Sequence, residues 1–230
     1  MAGFAVEASR AGKLPFAIDY NQPERIAELL RLIAAREGVG ELLGRGIREA
    51  AAELGMEEVA VHVKGLEPAG FDPRALKGMG LAYATAARGA CHLRGTFYKA
   101  ELSGQIDPQA IENKAALFVD YEDRCALFDC LILCRFYRDF IDWEEIARLI
   151  AGSTGLELSK PELERIANRI PCESRAYNRR EGLDASTGTL PPRLLRQVNA
   201  EGARFQPGEL ERLVADYNAL RGEGDDTTMS

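Results

Sequence analysis

Apolar residues recur at helical spacing along most of the 230-residue chain, with only one short stretch at the two-residue period of a strand. An opening helix over Phe4 to Ala11 is expected to stop at Gly12. A second starts around Asn21-Gln22-Pro23, with proline in the first helical turn, and sets Ile26, Leu29, Leu30 and Ile33 on one face. A third is expected from Glu41 to Leu54, closed by Gly55 in the left-handed position where glycine ends helices. Val59, Val61 and Val63 then alternate, as in a short extended segment, before the Pro- and Gly-bearing loop from Gly65 to Pro73.

From Leu76 to Ala90 the chain is rich in Ala and Gly with few large polar residues, which predicts a helix enclosed by other backbone. Asp107-Pro108 opens a long helical region from Gln109 to Tyr137. Its later half, CALFDCLILCRFY, is apolar nearly all round and is expected inside a core. Asp142 with Glu145 and Ser159 with Glu162 have the spacing of capping boxes and start two more helices. The first of these should stop near Gly152-Ser153, and the second should run to Glu181 with a bend at Pro171. A breaker-rich stretch from Leu183 to Pro192 precedes a last helix from Pro207 to Gly222. The fold class read from this pattern is all-α and multihelical, with a helical unit over 1–60, a second over 61–222 and a mobile tail over 223–230.

Composition excludes several functions. A formal charge of −7 opposes a phosphate-binding surface, so nucleic acid is not an expected partner. No apolar run reaches membrane-spanning length, and Met1-Ala2-Gly3-Phe4 lacks the layout of a signal peptide, which points to the cytoplasm. Five cysteines at irregular spacing, with no C-x-x-C pair, suit thiols or metal ligands in a reducing compartment rather than a disulfide framework. One chain with such spacing cannot hold an iron-sulfur cluster by itself, so any metal centre is expected to be shared with other polypeptide.

Several blocks in order carry a resemblance. VKGLEPAGFDPRALKGMGLAYATAARGACHLRG at 63–95 resembles the start of the last domain of the tungsten-containing aldehyde ferredoxin oxidoreductases. AAREGVGELLGRGIREAA at 34–51, CALFDCLILCRF at 125–136, ELERIANRI at 162–170, NRREG at 178–182, TLPPRL at 189–194 and DYNALRG at 216–222 are similar to successive parts of the same family. The resemblance covers residues 4–222. It implies the C-terminal helical domains of an enzyme that oxidises aldehydes to carboxylic acids at a tungsten or molybdenum bis-pterin beside a 4Fe-4S cluster, with ferredoxin as electron acceptor. Residue by residue, it implies that His92 acts near the metal and that Arg94, Asp129 and Leu133 belong to the pterin site. Asp129 there accepts from pterin N–H groups, and Cys134 is an isolated cluster ligand. His62 is expected to be structural.

Two departures from the family pattern stand out. Ile132 replaces the glycine of D-x-x-G-L-C, and a β-branched residue is expected to refuse the positive φ that glycine permits, degrading the pterin site. Pro171-Cys172 puts a breaker where the family reads as continuous helix. The family's pterin-binding β domain and its C-x-x-C-x-x-x-C motif have no counterpart in these residues. The expected partners are therefore a separate N-terminal portion or subunit, ferredoxin, and a second copy of the chain docked through a bare apolar face at 78–90 and 126–134. The alternative is a cofactor-free helical paralogue acting as a scaffold or interaction module.

Overall fold

The computed structural model describes residues 1–183 and 188–222, so the expected tail at 223–230 and part of the breaker-rich stretch lie outside the described residues. Three apolar cores organise the rest. The first joins α1 (Ala2–Arg10), α2 (Pro23–Ala35), α3 (Val39–Leu43) and α4 (Ile47–Leu54) around Phe4, Leu29, Leu43 and Ile47. On α2, Leu29 is buried and Ile26 and Ile33 pack against the core, whereas Leu30 is exposed, because a stripe built on 29, 26 and 33 turns it outward.

The single helix expected from Glu41 to Leu54 is two. Gly46 sits at φ 102°, outside any helical region, and divides α3 from α4; Gly55 closes α4 at φ 59° as expected. The valines at 59, 61 and 63 do not form a strand. Among the described residues the only extended pairing is one antiparallel bridge between Val63 and Leu66, because no neighbouring segment supplies a ladder.

The second core surrounds α5 (Lys77–Thr85), in which every residue is buried. The helix is shorter than expected and gives way at Ala86 to extended backbone. It is enclosed by α6 (Tyr98–Leu102), α7 (Lys114–Cys130), α10 (Pro192–Arg196) and α11 (Glu209–Leu220). Close approach explains its glycines: a Cβ on Gly78 would stand 2.3 Å from the Phe97 ring. The α5 N–H groups of Gly78 and Met79 donate to the buried Glu101 carboxylate at 2.8 and 3.2 Å.

The third core packs the end of α7 against α8 (Trp143–Thr154) and α9 (Lys160–Arg180) through Leu127, Phe128, Trp143, Ile146 and Leu163. Both capping signals are real. Asp142 accepts from the N–H groups of Glu144 and Glu145, and Ser159 with Glu162 forms a capping box. α8 runs on to Thr154, past the expected stop. α9 continues through Pro171, held by Leu163, Ala167 and Ile170 on the third core. Polar chains tie α7, α9 and α11 together: Arg221 donates to Glu122 at 2.6 Å and to Asp123 at 2.7 Å, and also to Asn168, while Tyr217 Oη donates to Glu122 at 2.6 Å. No helix among the described residues is long and apolar enough to cross a membrane.

Candidate functional site

The segment after α5 carries His92 and Arg94, and it is fastened at both ends. The Lys64 ammonium donates to the carbonyls of Ala84 and Ala86 where α5 ends, and Asn178 Nδ2 donates to Ala87 O at 2.7 Å. Further on, Gly95 lies against the Phe118 ring, and the buried Thr96 hydroxyl meets Cys125 Sγ at 3.4 Å. Between these anchors His92 is half-buried, with ring centroids 5.8 Å from Phe71 and 6.2 Å from Tyr98. Burial, with a smaller push from the Arg88 charge, lowers its pKa below the ordinary histidine value. A neutral imidazole follows at neutral pH, and it makes no hydrogen bond among the described residues. His62 differs: its Nδ1 accepts the Gly65 N–H at 3.3 Å, which stabilises the 62–65 turn and fits the structural role expected of it.

Helix α7 does not continue to Tyr137. It ends at Cys130 in a Schellman motif, with the Leu133 N–H on Phe128 O at 2.8 Å and the Ile132 N–H on Asp129 O at 3.3 Å. This arrangement demands a left-handed residue at 132, and Ile132 adopts it at φ 57°. The expectation that a β-branched residue would refuse this conformation is thus corrected: two backbone hydrogen bonds and the apolar contacts of Phe128 and Leu133 with the third core hold it there. The strain costs about 1–2 kcal/mol. D-x-x-G-L-C is legible here as a helix stop: Asp129 on the last turn, residue 132 reversing the chain, Leu133 locking into the core and Cys134 emerging.

The reversal also overturns the reading of CALFDCLILCRFY as interior. Cys125, Leu127 and Phe128 are buried, but Cys130, Ile132, Cys134, Phe136 and Tyr137 are exposed, as is Phe140 beyond them. The bare apolar face expected at 78–90 and 126–134 is found only in part: α5 is enclosed, whereas exposed apolar residues begin at Cys130 and Ile132 and continue to Phe140.

Arg94 and Asp129 are brought together. Arg94 Nη1 donates to Asp129 Oδ2 at 2.9 Å, and Arg135, just after the turn, donates through Nε to Oδ1 at 3.0 Å and through Nη2 to Oδ2. These three residues line a cavity of about 80 Å³ together with Arg88, Glu122 and Ser174. His92, Leu133 and Cys134 do not line it; Leu133 packs on the third core and Cys134 stands exposed at the start of the 3-10 turn Arg135–Tyr137. Sequence reasoning missed Arg88 and Arg135. The available signal for Arg135 was its place directly after the cysteine of the helix-stop motif.

An exposed acceptor-only carboxylate suits a ligand with N–H donors, and an exposed thiol suits a shared metal centre. No group of three or more His, Cys, Asp or Glu suited to a metal ion exists among the described residues, so any metal centre that used Cys134 would need its remaining ligands from other polypeptide.

The chain is thus all-helical, with a helix stopped at Asp129–Cys134 and a fastened loop carrying His92, and sequence comparison supplies its class. The family model "Aldehyde ferredoxin oxidoreductase, domains 2 & 3" matches residues 1–227. The chain is 32% identical over 200 residues to the tungsten-containing aldehyde ferredoxin oxidoreductase of Pyrococcus furiosus and 32% identical to that of Thermococcus kodakarensis. The Pyrococcus horikoshii enzyme is 30% identical. Each match covers 84% of this chain and 33% of the relative, so the chain spans about a third of the length of the curated relatives it matches. The chain belongs to the aldehyde ferredoxin oxidoreductase family and corresponds to its domains 2 and 3.

Proposed function

We propose that this chain is the helical portion of a tungsten or molybdenum bis-pterin, iron-sulfur oxidoreductase that converts aldehydes to carboxylic acids with ferredoxin as acceptor, working in the cytoplasm with polypeptide equivalent to the rest of its relatives. The observation that carries the reading is the helix stop at Asp129–Cys134. It presents a carboxylate and a thiol on one turn, with Arg94 of the histidine loop reaching over to the same carboxylate. Separate apolar cores support a division into a middle-domain part at 1–60 and a last domain at 61–222.

When bound, the bis-pterin metal supplies the two-electron oxidation and the 4Fe-4S cluster carries the electrons away. The chain's own residues position and tune. Asp129 accepts from pterin N–H groups, Arg94 holds that carboxylate in place and the Leu133 side chain locks the turn. Cys134 contributes one thiolate to the cluster. His92, neutral and half-buried, would donate a hydrogen bond from its ring N–H to the substrate oxygen. A second reading, a cofactor-free interaction module, is favoured by one observation, the exposed apolar face at 130–140.

Co-expression with polypeptide equivalent to the remaining two-thirds of the relatives tests the first reading. The assembly is expected to contain tungsten or molybdenum and iron and to reduce a viologen dye with aldehyde. His92→Ala should then lower kcat by about a hundredfold or more, and Cys134→Ser should lose iron. An assembly that forms without metal, or is active and indifferent to both substitutions, supports the interaction module instead.

A further inference from the structure

Two arginines hold Asp129 in two different ways. Arg135 presents two parallel N–H donors, Nε and Nη2, to its two oxygens, whereas Arg94 makes a single bond to Oδ2. The 2-amino-4-oxopteridine ring carries the same pattern on one edge: the ring N3–H and the exocyclic amine are adjacent, coplanar donors. A carboxylate accepts one such fork at a time. We infer that Arg135 is an intramolecular stand-in for the pterin donor edge, a latch that occupies Asp129 until a pterin displaces it. This rests on the reading of Asp129 as a pterin acceptor and goes beyond it by naming the group of this chain that engages the same carboxylate edge.

The latch is built by the helix stop. Arg135 lies six residues after Asp129, and on a continuing helix it would project almost two turns away. The left-handed backbone at Ile132 folds the chain back so that the guanidinium reaches the carboxylate instead. Release is inexpensive, because the Asp129 side chain is 38% exposed and its ion pairs are screened by water. The Arg94 bond leaves the fork geometry free, so Arg94 steadies the carboxylate without competing for the edge. Arg135 Nη1 is buried and has no hydrogen-bond partner among the described residues, so the latched position leaves one donor unsatisfied and favours departure.

The test uses the full chain and free 2-amino-4-hydroxypteridine, whose fluorescence reports binding, with circular dichroism confirming that each variant folds. Arg135→Gln and Arg135→Lys are both expected to bind about tenfold more tightly than the unaltered chain, since lysine keeps the charge but loses the fork. Arg94→Gln is expected to show no gain, and Asp129→Asn no binding. Arg135 variants that bind no better, with binding still lost in Asp129→Asn, overturn the latch while the pterin reading stands. A gain in Arg135→Gln that is missing in Arg135→Lys, or equalled by Arg94→Gln, traces to charge alone and also overturns the latch. Binding that survives Asp129→Asn, or none in any chain, overturns latch and pterin reading together.

Discussion

The Lys114 ammonium lies 2.6 Å from Glu101 Oε1 with both side chains withdrawn from solvent, at 1% and 0% exposure. The same ammonium donates to the carbonyls of Asp107 and Pro108, and the same carboxylate accepts the first N–H groups of α5. One ion pair thus fastens four segments: the start of α5, α6, the 107–108 turn and the start of α7. Glu101→Gln leaves a buried cation without its counter-ion and is expected to cost about 3 kcal/mol or more in urea unfolding. Lys114→Met added to it should recover part of the loss, because the glutamine oxygen still accepts from α5. An additive double variant would remove the pairing argument.

Burial pushes the Asp123 carboxyl up to about 6; Arg221 opposes this shift, and Glu122 and Asp120 add to it. A folded pKa above the unfolded one means the folded state holds the proton more tightly. This group's stabilising contribution is therefore present below about pH 4 and is lost as pH rises through 6. Asp123→Asn cannot titrate. The stability of the unaltered chain relative to Asp123→Asn should fall by roughly 1–3 kcal/mol between pH 4 and pH 7. Urea midpoints of the two chains across that range check it, and a difference that grows with pH would reverse the sign and refute the assignment.

Ile132 holds a left-handed conformation while its side chain is 93% exposed, so it suffers strain and gains no burial. Ile132→Gly should stabilise the chain by about 0.5–1 kcal/mol, the strain relieved less the entropy glycine adds to the unfolded state. Thermal unfolding should shift up by a few degrees. A fall in midpoint would mean that the isoleucine is held by contacts this geometry lacks.

Phe136 and Phe140 are 81% and 77% exposed, just beyond the 126–134 surface expected to dock a partner. Phe136→Ser with Phe140→Ser should change folding stability by less than about 1 kcal/mol while lowering the self-association seen by light scattering or the binding of an apolar dye. A large loss of stability would place these rings in the core after all.

Much of the fold was legible because its signals are local. Ser159 with Glu162, Asp142, Gly55 and Pro23 each act within one turn, and each marks a helix end where expected. The break at Gly46 was not legible, since glycine inside an amphipathic stretch reads equally as tolerated or as a stop. The run from Cys125 to Tyr137 misled for a different reason: apolarity records that a surface avoids water, and says nothing of whether the same core covers both halves. The site was legible only in pieces. Arg94 meets Asp129 across 35 positions, a pairing that no periodicity announces, and Arg135 joins them only because the chain reverses at a residue whose type argues against reversal.

Helix α5 has no outer side. A helix with every residue enclosed should exchange its amide hydrogens only when the surrounding helices open, and substitution across Lys77–Thr85 should find almost no permissive position. His92 follows it by seven residues, through a segment whose carbonyls at 84, 86 and 87 are already claimed by Lys64 and Asn178. The imidazole therefore follows closely on a fully enclosed helix. Its position should be set by folding rather than by a ligand, and variation in this chain should fall on what surrounds the histidine rather than on where it stands.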